Sequence, residues 1–251
     1  MHRNGWTLRY AGKTFRFNCV RMTADGVHAL TDGDLGANYW EVQTGKVLRR
    51  FPGPRFGFST VALSPDERIV ATSGSDGLTL WGFDSERAVR RIDGASALSI
   101  GYSLDSTRAF WVGVDDRLCQ AEVHGHGSPT CFDIDAGRLD VADVEVDESV
   151  TGERDGDLTL WANGTGRRLR SWSANERAID AVSFLPSRAL AASAGEDRTI
   201  RVWRTDAGKL VSERPTVGFA TAVALSGDGG RVIYGTDAGD VHVWTIGGAE
   251  R

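Results

Sequence analysis

The residues that could do chemistry come first. Of five histidines, only His124 and His126 (VHGHGS) stand close together. An H-x-H pair can offer two ring nitrogens to a metal, but a site needs a third ligand. None stands at a matching spacing, and the pair falls in a Gly-rich stretch between strands. We read it as a turn and expect neither metal nor cofactor. Carboxylates are more numerous: Asp32, Asp34, Asp76, Asp115, Asp116, Glu153, Asp155, Asp157, Glu196, Asp197 and Asp240 lie in short turns. Paired carboxylates can act as general acid and base. Here, however, an acid recurs at the same point of a repeated phrase. Asp caps its own backbone in a tight turn, and Gly accepts positive φ there. A residue that recurs in every repeat reads as architecture, whereas catalysis breaks symmetry. No G-x-S-x-G, phosphate-loop or dinucleotide-binding phrase is present, so we expect a protein that is not an enzyme. Three cysteines are too few and too odd in number for a disulfide framework, which points to the reducing cytoplasm. Cys119 and Cys131 flank Gly125 symmetrically and could face each other across a hairpin; in that compartment we expect two free thiols.

The elements that position these residues follow from composition and spacing. The chain has 251 residues, 41% hydrophobic and 25% charged, with a net charge of −5. That is enough apolar material for a core, and the acidic balance argues against a nucleic-acid partner bound through a broad basic field. No apolar run reaches the roughly 18 to 20 residues of a membrane helix, and MHRNGWTLRY is not a signal peptide, so no membrane is expected. Trp40, Trp81, Trp161, Trp203 and Trp244 each end a similar phrase (GANYW, GLTLW, GDLTLW, RTIRVW, GDVHVW), at gaps of 41, 80, 42 and 41 residues. The gap of 80 holds a hidden repeat, with Gln120 where tryptophan is expected. A period near 41 marks a propeller blade.

A second column supports the count. Val20, Val61, Ile100, Val144, Val182 and Val223 each open a short apolar phrase, 20 or 21 residues before the anchor in five repeats and 17 in the fourth. Period-two runs bounded by Gly, Asp and Ser are strands. The reading is an all-β, six-bladed β-propeller of four-stranded antiparallel blades. It forms one domain over 1–251, with repeats at about 17–51, 58–92, 97–134, 139–172, 179–214 and 219–245. The last repeat lacks a fourth strand, and residues 6–10 (WTLRY) are spare. We expect that N-terminal strand to complete the last blade and close the ring. Arg3, Arg9, Lys13, Arg16 and Arg21 have no acidic neighbour among residues 1–22. We read them as the solvated face of that strand rather than a nucleic-acid arm.

These phrases resemble the WD40-repeat β-propellers. VALSPDERIVATSGSDGLTLW (61–81) and AVSFLPSRALAASAGEDRTIRVW (181–203) carry the resemblance best. The departures are the missing Gly-His pair and the missing Asp after tryptophan, where Glu41, Gly82, Ala162, Arg204 and Thr245 stand instead. They imply a diverged member held more by apolar packing than by that family's polar network. The resemblance implies a non-catalytic, cytoplasmic scaffold for protein binding. It would act as a monomer or as a module of a larger protein, and the acidic turns would favour a protein or peptide partner with basic residues. It places the contact rim at Arg55, Phe56, Arg138, Asn175, Arg177 and Phe219, with Val217 nearby. It also implies that first strands line a channel, where Arg21, Asp143 and Glu145 interrupt a column of small residues (Ala62, Gly101, Ser183, Ala224). A small-molecule-binding or hydrolytic site at that channel mouth is the alternative.

Overall fold

Alternation of apolar and polar residues between Gly/Asp turns produces strands throughout. The computed structural model describes residues 6–10, 13–17, 19–23, 25–32, 36–52, 58–134 and 139–247. Strand β1 (Trp6–Tyr10) pairs antiparallel with β2 (Lys13–Phe17). Six meander sheets then follow, one per repeat. The first runs β3 (Val20–Met22), β4 (His28–Thr31), β5 (Gly36–Glu41), β6 (Lys46–Pro52). The second runs β7 (Phe58–Leu63), β8 (Ile69–Gly74), β9 (Gly77–Gly82), β10 (Ala88–Asp93). The third runs β11 (Ala97–Tyr102), β12 (Arg108–Gly113), β13 (Arg117–Glu122), β14 (Thr130–Asp133). The fourth runs β15 (Leu139–Val144), β16 (Glu148–Glu153), β17 (Asp157–Ala162), β18 (Arg167–Ser173). The fifth runs β19 (Ile179–Leu185), β20 (Leu190–Gly195), β21 (Thr199–Arg204), β22 (Lys209–Pro215). The sixth has three strands, β23 (Ala220–Leu225), β24 (Arg231–Thr236) and β25 (Val241–Thr245). These sheets are the blades of an all-β, six-bladed β-propeller. The only helical element among the described residues is a 3-10 turn at Pro186–Arg188.

The described chain divides into two compact units. One comprises 1–115 with 119–130, the other 116–118 with 131–251. Within each, a blade packs its anchor tryptophan on the blade before it. In the first unit Trp81 lies with Leu30, Tyr39 and Phe51. In the second, Trp203 lies with Val150, Leu158 and Leu160, and Trp244 with Ile200 and Val202. All five repeated tryptophans are buried, as their spacing implies. Burying each contributes on the order of 2–3 kcal/mol.

The first hairpin of four blades is fastened by one device. In blade 2 the Ser64 hydroxyl donates to Asp66 Oδ1 (2.6 Å), which also accepts from Arg68 N (3.1 Å), while Ile69 N donates to Ser64 Oγ (2.9 Å). Thr23/Asp25, Ser103/Asp105 and Ser226/Asp228 repeat it. Such local side-chain bonds favour a turn over continued strand. The residue after the Asp takes positive φ: Gly26 (70°), Glu67 (57°), Ser106 (58°) and Gly229 (70°).

Three expectations change. Residues 6–10 pair with residues 13–17 rather than with the last blade, whose sheet has three strands. Two segments separated by only Ala11 and Gly12 meet at far smaller loop-closure cost than segments more than 200 residues apart. The anchor of blade 3 is Ala121, not Gln120. In every blade the residue two past the anchor donates its N–H to the carbonyl of the hairpin before it, as in Phe83 to Arg68 and Thr205 to Ala189; in blade 3 the pair is Val123 and Thr107. A one-residue slip would exchange the two faces of β13. Leu118 (0% exposed) and Ala121 (6%) lie inside, and Gln120 is half-buried. In blade 4 the turn after β15 is short, with Val144 facing Ser149 directly. Its register makes Asp143, not Glu145, the counterpart of Ala62 and Ser183.

The polar network is also fuller than the missing Gly-His and Trp-Asp pairs imply. Indole N–H groups donate from Trp40 to Thr31 (2.7 Å), Trp81 to Thr72 (2.9 Å), Trp161 to Thr151 (2.8 Å) and Trp203 to Ser193 (3.1 Å). Finally, Cys119 and Cys131 are disulfide-bonded rather than free thiols, and Cys19 is free. Their positions on adjacent strands, β13 and β14, make the pairing geometrically accessible.

Candidate functional site

The second unit carries the described part of the expected contact rim. Asn175 follows β18 and is 4% exposed. Its Oδ1 accepts from the Ser193 hydroxyl (2.6 Å), and its Nδ2 donates to Asp197 Oδ1 (2.9 Å) and to the Thr199 carbonyl (3.2 Å). Asp197 accepts further bonds from Glu176 N (3.0 Å) and the Arg201 guanidinium (2.5 Å). These bonds hold its carboxyl below the usual range against the opposing effect of burial. The result is a continuous relay, Trp203–Ser193–Asn175–Asp197. Asn175 is therefore an internal strut, not an exposed contact: its donors and acceptor are all used inside blade 5.

Arg177 and Phe219 are exposed. The Arg198 guanidinium lies 5.0 Å from the centroid of the Phe219 ring, within cation–π range. Phe219 N is held by Asp237 Oδ1 (3.1 Å), and Val217 beside it is 97% exposed. Arg55, Phe56 and Arg138 lie outside the described residues.

Sequence reasoning missed two carboxylates of the same unit, Asp140 and Asp180. β15 and β19 each have a bulge near the start, at Leu139/Val141 and Ile179/Ala181. A bulge re-aims the extra residue, here Asp140 and Asp180. Both are exposed, as is Glu196. Burial of one side of Asp180, then the charges of Glu196 and Asp140, push its carboxyl up to about 6. Asp140 is paired with a cation: Arg154 Nε lies 2.9 Å from its Oδ2. The signal was present as an Asp following the first apolar residue of both strands (LDVADV, IDAVSFL), but the misplaced register of repeat 4 hid it.

The channel residues do different things. Arg21, in the first unit, donates to Ser99 Oγ (3.4 Å). In the second unit, Asp143 is buried and its Oδ2 accepts from Phe184 N (2.8 Å) on the next blade; the Ser183 hydroxyl likewise accepts from Leu225 N (3.0 Å). Asp143 thus joins blades. Glu145 lies in the following turn, where its carbonyl accepts from Asn163 Nδ2 (2.8 Å). Among the described residues no group of three or more His, Cys, Asp or Glu side chains is placed to hold a metal ion. No helix of the described residues is long and apolar enough to cross a membrane.

Four-stranded meander blades, anchored by an indole bonded to a Thr or Ser two residues along the neighbouring strand, define a repeat propeller. The family model "WD domain, G-beta repeat" matches residues 45–80 and 166–204, so the chain carries repeats of that family over these two stretches. Residues of this chain are 28% identical over 93 positions to eukaryotic translation initiation factor 3 subunit I of Scheffersomyces stipitis, covering 37% of this chain and 27% of that protein. They are 30% identical over 97 positions to periodic tryptophan protein 2 of Saccharomyces cerevisiae, covering 38% of this chain and 10% of that protein. The matched stretches thus span about a quarter and a tenth of these relatives.

Proposed function

We propose that this propeller is a non-catalytic scaffold that binds a protein or peptide segment carrying basic residues. The docking site is the rim at Asp140, Asp180 and Glu196, flanked by Arg177 and Phe219. The observation that carries this reading is the exposed carboxylate group itself: Asp140 and Asp180 sit on the bulges of β15 and β19, and with Glu196 their like charges add to burial in pushing the Asp180 carboxyl up. A lysine or arginine from a partner relieves that repulsion, which favours its capture and orientation. Phe219 supplies apolar area next to it, and aromatic and arginine side chains are frequent anchors at interfaces. One relative is by its name a subunit of a larger factor, which is consistent with a life among protein partners. Action as a monomer, or as a module of a longer polypeptide in the cytoplasm, belongs to the same proposal.

The test is fluorescence anisotropy with a labelled dodecapeptide of alternating Arg and Ser, at low and moderate salt. We expect binding that weakens with salt and falls at least tenfold in Asp180→Asn/Glu196→Gln, with an unchanged melting profile at pH 5. Equal affinity in the variant overturns the site.

A further inference from the structure

In the first unit, blade 3 departs from its neighbours in three ways at one place. Ala121 stands at the anchor that five blades give to tryptophan. The connection between β13 and β14, residues 123–129, is longer than the four or five residues that join the corresponding strands of blades 1, 2, 4 and 5. Beside them lies a cavity of about 350 Å³ lined by Arg90, Arg108, Gln120, Ala121, Glu122 and Ser128, among others. That volume is at the small end of the range for ligand pockets, roughly 300–1,000 Å³.

The lining is unusually rich in cationic and neutral donors for a chain of net charge −5. The Arg90 guanidinium reaches from β10 and donates to the backbone carbonyls of Glu122 and Gly127. These neutral oxygens fix its position without cancelling its charge. Among the described residues neither Arg90 nor Arg108 forms a salt bridge. Ser128 and Thr130 add hydroxyls to the wall. Planar guanidinium groups match tetrahedral oxyanions, and charge-assisted bonds to them are the strong ones. Glu122, the acid in the wall, is an acceptor when ionised and can take a hydrogen bond from a donor on a bound molecule, such as a hydroxyl.

We propose that this cavity is a binding site for a small phosphate monoester. Arg90 and Arg108 take the phosphoryl oxygens, and Glu122 accepts from a hydroxyl on the remainder of the molecule. This proposal does not rest on the rim proposed above.

Isothermal titration with glycerol 3-phosphate, inorganic phosphate, glycerol and citrate tests this. We expect glycerol 3-phosphate to bind more tightly than inorganic phosphate, with no heat from glycerol. Arg108→Gln should weaken binding at least tenfold. Ala121→Met, which fills the wall, should abolish it; if that variant does not fold, Ser128→Val serves in its place, with a loss of threefold or more expected. Citrate binding as tight as glycerol 3-phosphate, equal affinity in Arg108→Gln, or no binding of either phosphate at 5 mM, about five times the weakest Kd we would accept (roughly −4 kcal/mol), overturns the proposal.

Discussion

In blade 5 the Trp203 indole donates to Ser193, Ser193 to Asn175, and Asn175 to Asp197, so the packing of one aromatic ring is tied to the geometry of a surface turn. In blade 3 the same two columns hold Ala121 and Trp111. The register pairs Ile100 with Trp111 as it pairs Val182 with Ser193. The indole has moved one strand inward, where it is 2% exposed, and the hydroxyl that would have received its N–H is gone. A disulfide at Cys119 and Cys131 now ties the outer two strands, and a cavity opens on the wall. A repeat fold thus keeps its backbone while its side-chain fastening changes. In the blade that loses the polar relay, the small anchor Ala121 lines the wall of that cavity.

The comparison breaks most visibly at Trp203. Trp203→Ala should destabilise the protein by about 3 to 5 kcal/mol, because it removes a large buried ring and leaves Ser193 without its donor. Urea denaturation followed by circular dichroism measures this. A loss under 1 kcal/mol would mean that the relay, not the ring, holds blade 5.

The middle-sized effect belongs to blade 3. Removing the disulfide with Cys119→Ala/Cys131→Ala should cost about 2 to 3 kcal/mol, the chain-entropy value for a closed loop of this size. The wild type treated with dithiothreitol should fall to the same denaturation midpoint. Blade 5 has no such tie, so reductant should leave the hydrogen-exchange protection of Val202 and Trp203 unchanged below global unfolding. Equal loss of protection in both blades would show the disulfide acting on the whole fold.

The sequence made much of this legible, for a physical reason. An indole every 41 residues and a valine column two faces away are periodic signals, and periodicity survives the loss of any one residue. Blade number, strand order and the burial of Trp40, Trp81, Trp161, Trp203 and Trp244 followed from it. What failed depended on single insertions. Blade 3 follows the longer spacing of blades 4 and 5, one residue more than in blades 1 and 2, so counting from the first two repeats put Gln120 at the anchor in place of Ala121; a short turn after Val144 put Glu145 in the column of Asp143. The polar network was underestimated because tryptophan's partner lies on another strand, nine or ten residues away, and because Asn175, which extends the relay in blade 5, was assigned to the exposed rim. Asp180 went unseen because a carboxylate acquires meaning only from its neighbours in space, Glu196 and Asp140.

The smallest effect separates the two blades by pH. Blade 3 closes its first hairpin with Asp105, which accepts from the Ser103 hydroxyl (2.6 Å) and from the Thr107 N–H (3.0 Å) and hydroxyl (2.8 Å). These bonds, the Ser103 hydroxyl foremost, lower its carboxyl to about 2. The unfolded chain takes up the same proton near 3.8. The turn's contribution is therefore complete above pH 4 and is lost as the pH falls toward 2, because the unfolded state then binds more protons than the folded one. Blade 5 has no Asp at this point; it uses the 3-10 turn at Pro186–Arg188, with Ala189 at φ 50°. Amide exchange of Arg108 should accelerate between pH 4 and 2, after correction for intrinsic rates, while that of Leu190 does not. Asp105→Asn should flatten the blade 3 response. Parallel acceleration of both amides would show that acid opens the blades together and that the Ser–Asp buckle is ornament on a turn the backbone makes unaided.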